Sequence, residues 1–414
     1  MIFAQSRHDI TSQFWGSGSL RGATNRPSWQ QQSAEQKIMI TKCRSWIAAL
    51  VVLIYLVAIS TSVAGAPSAP VAPKNIILFI GDGMGVAHIT AAKTINSKLH
   101  LEQFRTTGLL TTHSHNAYIT ESASAATALA TGVKTSNYSI SMSPDGTPLK
   151  TIVEIAQEHG KSTGLVTTSR ITHATPACFA AHVEHRDNED TIAEHLADSS
   201  VDVLFGGGLA FFLPASNPKS KRSDNKDLIA SLKKTHRIVT RPKQFRRLGT
   251  AKRVVGLLSR DHLPPAEKRA VTLAEMTQMA IKILSKNSNG FFLMVEGAQI
   301  DWGGHRRNSD MIVRETIDFD LAIGAGLAFA KVDQSTLVIV TADHESGGYA
   351  LLGGSIAQKK ITKTSFATRH HTAEMVPVFA FGPGGSVFGG IHDNTFVGKK
   401  MIEFVRTSAL QNYE

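Results

Sequence analysis

An α/β fold built on a large, mostly parallel central sheet with helices on both faces is what this sequence predicts. Three observations carry that prediction. Apolar runs of strand length alternate with helix-like segments, the order that builds parallel sheets. Two of those runs end in clusters of Asp, Glu and His, where open α/β sheets bind their ligands. The 414 residues, 42% hydrophobic and 19% charged, suffice for one large core of ordinary globular composition.

The elements follow in order. Residues 1–38 are too long for a usual leader, so Met39 reads as the initiator and 1–38 as a gene-model extension or a disordered segment. A charge-free apolar stretch, 46–59, follows Lys42 and Arg44 and runs into small residues up to Ala66. That is the pattern of a secretory signal over 39–66. The same run, counted through Ala66, reaches the roughly 20 residues that span a bilayer, so it anchors the chain if it is not cleaved. The expected product is an exported protein, periplasmic or extracellular, membrane-bound only if 46–66 is retained. With Cys43 in the removed segment, Cys178 is left alone and no disulfide is expected.

Residues 67–414 read as one domain. Its strand candidates are 75–80, 164–168, 201–205, 291–295, 336–341 and 376–381, and its helix candidates 149–159, 190–197, 266–285, 306–331 and 394–406. Within a basic insertion at 215–255, thirteen Lys and Arg between 219 and 253 face only Asp224 and Asp227, a local balance of +11. The rest of the chain therefore sums to about zero. The plain reading is a solvated helical insertion; the sharper one is a patch that draws in anionic substrates or polyanions. Aromatic residues are not interleaved there, so no specific nucleic-acid binding is expected.

Several constellations carry chemistry. Gly81-Asp82-Gly83-Met84-Gly85 puts a carboxylate in a glycine turn directly after a strand. It serves as a structural turn, or lets Asp82 bridge two ions or face a phosphate. Ser122 opens a helix of small residues. That helix is a tightly packed element, or it presents Ser122 as a nucleophile beneath free N–H donors, activated by metal because no Gly-x-Ser-x-Gly elbow is present. His173, Thr175 and Arg186 add an imidazole, a hydroxyl and a guanidinium. If Arg186 points inward, it can grip a phosphate with two parallel hydrogen bonds. Glu296 ends a strand. Asp301 and His305 are four apart and share a face if the chain turns helically. With Asp343, His344 and His371 they make a set of N and O ligands suited to zinc.

On these motifs, in this order, the chain from about Asn75 to its end resembles the alkaline phosphatase family. The motifs are the glycine turn, Ile-Thr-Glu-Ser-Ala, His-Ala-Thr-Pro-Ala with Arg186 beyond, Val-Glu-Gly-Ala-Gln-Ile-Asp with His305, and Thr-Ala-Asp-His with a later His-Thr. The resemblance implies a fold of that type and hydrolysis of small phosphate monoesters through a phosphoseryl intermediate on Ser122. It implies one zinc on Asp301, His305 and His371, a second on Asp82, Asp343 and His344, and a third ion, magnesium, on Asp82, Thr175 and Glu296. Arg186 would hold phosphate oxygens, with His173 a neighbour of the third ion. A homodimer is the assembly the resemblance leaves open.

Four departures are visible. Glu121 stands where Asp is usual, His173 where some members carry Asp, and Trp302 where others have Lys or His. Only 26 residues separate His344 from His371, so the large surface (crown) insertion of the animal enzymes is not expected. The competing readings are a phosphodiesterase or nuclease of the same superfamily, and a non-catalytic binder of metal or phosphate.

Overall fold

The structure, a computed structural model, describes residues 28–61 and 72–410. The first segment holds one helix, Trp29–Thr61, whose stretch Trp29–Tyr55 is long and apolar enough to cross a membrane. It belongs to a unit separate from the rest of the chain and suits a signal or an anchor. The helix begins upstream of Met39. Residues 1–27 of the expected extension, and 62–66 of the expected signal, lie outside the described residues.

In chain order the strands of the second unit are β1 (Asn75–Gly81), β2 (Thr106–Thr111), β3 (Ser162–Arg170), β4 (Val203–Gly207), β5 (Arg237–Val239), β6 (Val254–Leu257) and β7 (Phe291–Gly297). They continue as β8 (Thr336–Thr341), β9 (Glu345–Ser346), β10 (Tyr349–Ser355), β11 (Lys360–Phe366), β12 (His371–Thr372), β13 (Val376–Phe381) and β14 (Gly390–Asp393). Ten form one sheet, ordered β14-β2-β13-β8-β1-β7-β3-β4-β6-β5. Every pairing in it is parallel except the two that β13 makes.

The central strands β1, β7 and β8 are buried along their whole length. Their sequences are continuous apolar runs because both sheet faces are covered. The helices Leu273–Leu284 and Ser309–Asp333 pack together on one face, where Phe319 meets Phe79 of β1 edge-on at 6.1 Å. The helices Ser122–Thr131, Ile152–Glu158, Ala174–Ala177 and Thr395–Leu410 cluster on the other. Register then sets the site: Ile80 of β1 lies opposite both Glu296 of β7 and Thr341 of β8. The residues after these three strands therefore emerge together at one edge.

All six strands expected from the sequence form. The basic stretch differs from its expected helical character, for besides the short helices Leu228–Leu232 and Pro242–Phe245 it contributes edge strand β5, paired with β6. Arg222 within it is buried, bonded to Glu194 and Asp224 at 2.7 Å each. Between His344 and His371 stand only β9 and the hairpin β10-β11 with their connections, so the large surface insertion is absent.

Candidate metal centre

The turn after β1 holds Asp82, fully buried. Gly83 beside it has φ +73°, and a Cβ there would lie 2.8 Å from both Asp301 Cα and Ser346 Oγ. Only glycine lets this turn close on its neighbours. Its N–H donates to Asp343 Oδ1 at 3.0 Å, tying the end of β1 to the end of β8.

Downstream of β7 the chain turns into the helix Gln299–His305, which sets Asp301 and His305 on one face: His305 Nε2 is 3.2 Å from Asp301 Oδ2. His371, at the start of β12, places its Nε2 3.2 Å from that of His305 and 3.5 Å from Asp301 Oδ1. Both rings face a backbone carbonyl through Nδ1, His305 that of Arg369 at 2.5 Å and His371 that of Thr120 at 3.0 Å. An Nδ1–H donated to a carbonyl fixes the tautomer and leaves the Nε2 lone pairs of both rings converging. His344 stacks on His371 with centroids 3.6 Å apart. Its Nε2 lies 3.2 Å from Asp343 Oδ2, 3.6 Å from Asp82 Oδ1 and 3.4 Å from Ser122 Oγ.

Three sets of side chains bring ligand atoms within ion-holding range of one another: Asp301, His344 and His371; Asp82, Asp343 and His344; and Asp82, His173 and Glu296. Both oxygens of Asp82, Glu296 Oε1, Asp343 Oδ2 and Thr175 Oγ1 are buried without a hydrogen-bond donor or acceptor. Buried carboxylate oxygens left so carry a heavy desolvation cost unless a cation meets them. Burial, then the charges of Asp343, Asp301 and Glu296, raise the Asp82 carboxyl well above the usual range. Burial likewise pushes Glu296 up to about 7 and Asp343 to about 6. Against burial, the His305 and His371 rings, while protonated, hold the Asp301 carboxyl well below the usual range. Crowded carboxylates with few donors, beside imidazole lone pairs, are the donor set of a multi-ion centre.

Ser122 is the first residue of its helix, and Glu121 caps it, accepting from Ser124 N at 2.8 Å and Ala123 N at 3.0 Å. Glu121 also accepts from Tyr138 N at 2.8 Å and from Arg186 Nη1 at 2.5 Å. Despite burial, these partners hold its carboxyl below the usual range. Arg186 Nη2 lies 3.2 Å from His173 Nε2. Ser122, Arg186, Asp301, His305, His371 and Trp302 share one cavity of about 460 Å³.

The structure thus brings the sequence-derived residues to one place, with one difference of grouping. His344 joins both of the first two sets and His305 is in neither, while His173 stands with Asp82 and Glu296, where a neighbour of the third ion belongs. Thr175, in the helix Ala174–Ala177, is buried beside them. Sequence reasoning passed over Ser346, whose hydroxyl donates to Asp301, and Glu345, which accepts from Gly348 N, Tyr349 N and Thr372 Oγ1. Their one signal was position, directly after Asp343-His344. It also passed over His262, whose ring meets Trp302 edge-on at 4.5 Å.

Comparison with known proteins is consistent across sequence and structure. The alkaline phosphatase sequence profile matches residues 73–365. Alkaline phosphatase 4 of Bacillus subtilis (strain 168) is 33% identical over 419 residues, covering 81% of this chain and 89% of its own. The solved structure of alkaline phosphatase from the Antarctic bacterium TAB5 is 41% identical with a TM-score of 0.76, covering 82% of this chain and 99% of its own. A TAB5 variant with aspartate in place of one histidine, described with magnesium bound in its M3 site, is 40% identical with the same TM-score and coverage.

Proposed function

The chain belongs to the alkaline phosphatase family, and on that premise we propose that its hydrolysis of phosphate monoesters runs through a phosphoseryl intermediate on Ser122. That it is a metal-dependent enzyme releasing alcohol and inorganic phosphate follows from the family. The residue roles are our own reading.

The first zinc would be held by Asp301, His305 and His371, the second by Asp82, Asp343 and His344, and a third ion by Asp82, Thr175 and Glu296. The unpartnered buried oxygens and the converging Nε2 lone pairs support this assignment. His173 stands within the third group, and imidazole suits zinc where a carboxylate suits magnesium. TAB5 variants that exchange a histidine for an aspartate or for a glutamate are both described with magnesium bound in the M3 site. Bound zinc would supply Lewis-acid charge at the oxygens that gain negative charge during the reaction.

The chain's own groups do the rest. Ser122 Oγ attacks phosphorus, the P–O bond to the alcohol breaks, and water then cleaves the phosphoserine to release phosphate. Arg186 grips two phosphate oxygens in a fixed fork, and Glu121 holds that fork in place. The helix N-terminus at Ser122 favours the anion over it.

The N-terminal helix suggests a signal or an anchor. We propose export to the periplasm or the extracellular space, with membrane attachment only where the helix is retained. A homodimer remains our proposed assembly, tested by sedimentation.

The observation that carries the mechanism is Ser122 Oγ lying 3.4 Å from His344 Nε2, inside a cluster of unpartnered carboxylates. The purified enzyme should cleave p-nitrophenyl phosphate far faster than its bis-ester, lose that activity on chelation and regain it with zinc. Ser122→Ala should form no phosphoserine. Full activity in that variant overturns the nucleophile assignment, and preference for the bis-ester turns the reading to a phosphodiesterase.

A further inference from the structure

A second cavity, of about 310 Å³, adjoins the one over Ser122. Both are lined by His173, Trp302 and His305, and the second adds His262 and Arg306. Arg306 is the only side chain in that added lining with a fixed full charge. Burial, and then the Arg170 guanidinium, push His262 down to about 4, so its ring is neutral at working pH.

Arg306 is exposed to solvent at the end of its helix and, among the described residues, has no carboxylate partner. Its only side-chain hydrogen bond among them runs from Nη1 to Met311 Sδ at 3.5 Å. Arg170 and Arg186 are committed, the first to Glu189 and Asp261 and the second to Glu121. Yet Arg306 is not loose, because its guanidinium sits 5.7 Å from the ring centroid of Trp302, one helical turn earlier. His262 fixes the same indole from its edge. A wall shared by both cavities therefore carries an oriented, unpaired cation on the side away from Ser122.

We propose that Arg306, presented by Trp302, forms a subsite for the leaving group, selecting monoesters whose alcohol portion carries a second phosphate. The proposal rests on the monoesterase reading of the Ser122 site. With one phosphate over Ser122 and Arg186, the alcohol portion runs past Trp302 into the second cavity and ends against the guanidinium. A neutral alkyl or aryl leaving group finds no counterpart there. Arg306 is a specificity-determining residue: it touches the distal group and leaves the reacting atoms alone.

The test compares propane-1,3-diol bisphosphate with propyl phosphate on the metal-loaded enzyme. The wild type should favour the bisphosphate in kcat/KM by roughly 5-fold, the scale of one charge-assisted contact at a solvated site. Arg306→Gln should erase that preference and leave propyl and p-nitrophenyl phosphate unchanged. Calorimetric titration with propane-1,3-bisphosphonate and propylphosphonate reads the same preference without turnover. Equal treatment of the two ligands by the wild type, or a preference that survives in Arg306→Gln, overturns the subsite. Absence of turnover of any monoester overturns the monoesterase reading instead, and the bisphosphonate titration still decides the subsite.

Discussion

Arg186 is tethered to Glu121 through a 2.5 Å bond from Nη1 to Oε2, and the same carboxylate caps the helix that begins at Ser122. One side chain thus sets both the direction of the phosphate-gripping fork and the position of the nucleophile.

Replacing Glu121 separates those two duties. Glu121→Ala removes the cap and the anchor together, so we expect a stability loss of about 1–2 kcal/mol in urea unfolding and a raised KM. Glu121→Gln keeps one acceptor oxygen, enough for the N–H groups of Ser124 and Tyr138, and loses the charge and the acceptor that face Ala123 N and Arg186. It should lose less stability than Glu121→Ala while still raising KM. Equal KM values for Glu121→Gln and wild type would show that Arg186 needs no ionic anchor.

Glu345 follows His344 and is paired across β9-β12 with Thr372, which follows His371. Its carboxylate binds the Thr372 hydroxyl at 2.5 Å and two backbone N–H groups at 3.1 Å each. It therefore locks the spacing between two histidines of the centre. Glu345→Ala should weaken zinc binding by about 10- to 100-fold in competition with a chelator, and Glu345→Gln should recover much of it.

Cys178 is buried, receives a hydrogen bond from Thr127 and donates to Ala123 O at 3.1 Å. Burial pushes its thiol up to about 12. A thiol held protonated and out of solvent does not attack disulfides. In the full chain, a disulfide reagent should titrate exposed Cys43 quickly and Cys178 only after unfolding. Rapid modification of Cys178 in the folded protein would contradict the packing described.

Lys161 bridges two carbonyls, those of Lys74 and Asn289, at 2.9 Å each. Burial, and then the charge of Lys74, push its ammonium from the ordinary 10.5 down to about 8. Between those values the unfolded chain binds more protons at this site than the folded one, so its contribution to stability rises with pH across that window. The urea-midpoint difference between wild type and Lys161→Met should shift in favour of wild type from pH 8 to pH 10.5. A difference that is flat, or falls, would place the lysine in water.

Six sheet segments, β1, β3, β4, β7, β8 and β13, were readable as apolar runs, most plainly β1, β7 and β8, which are buried on both faces and so are apolar without interruption. Strand β2 is half-exposed and written Thr-Thr-Gly-Leu-Leu-Thr, and β5 is three residues within a basic run, so neither has a pattern distinct from loop. The site was readable where Asp, Glu and His end those apolar runs. Ser346 and Glu345 were not, since their partners Asp301 and Thr372 are distant in sequence and adjacent only once β9 and β12 pair. The sharing of His344 between two ion groups depends on its stacking against His371, which no spacing along the chain encodes.

The adjacency of β8, β1 and β7 in the sheet carries a timing consequence. Asp82 and Asp343 meet across 260 intervening residues, joined by the Gly83 N–H, and His371 arrives later still. Closing loops of that length is slow, and the N-terminal strand waits at the middle of the sheet for neighbours synthesised near the end. Until then the emerging polypeptide has no assembled cage to capture zinc and no activated serine. Maturation is therefore a late, post-synthetic event, and a chain cut short before β12 stays inert.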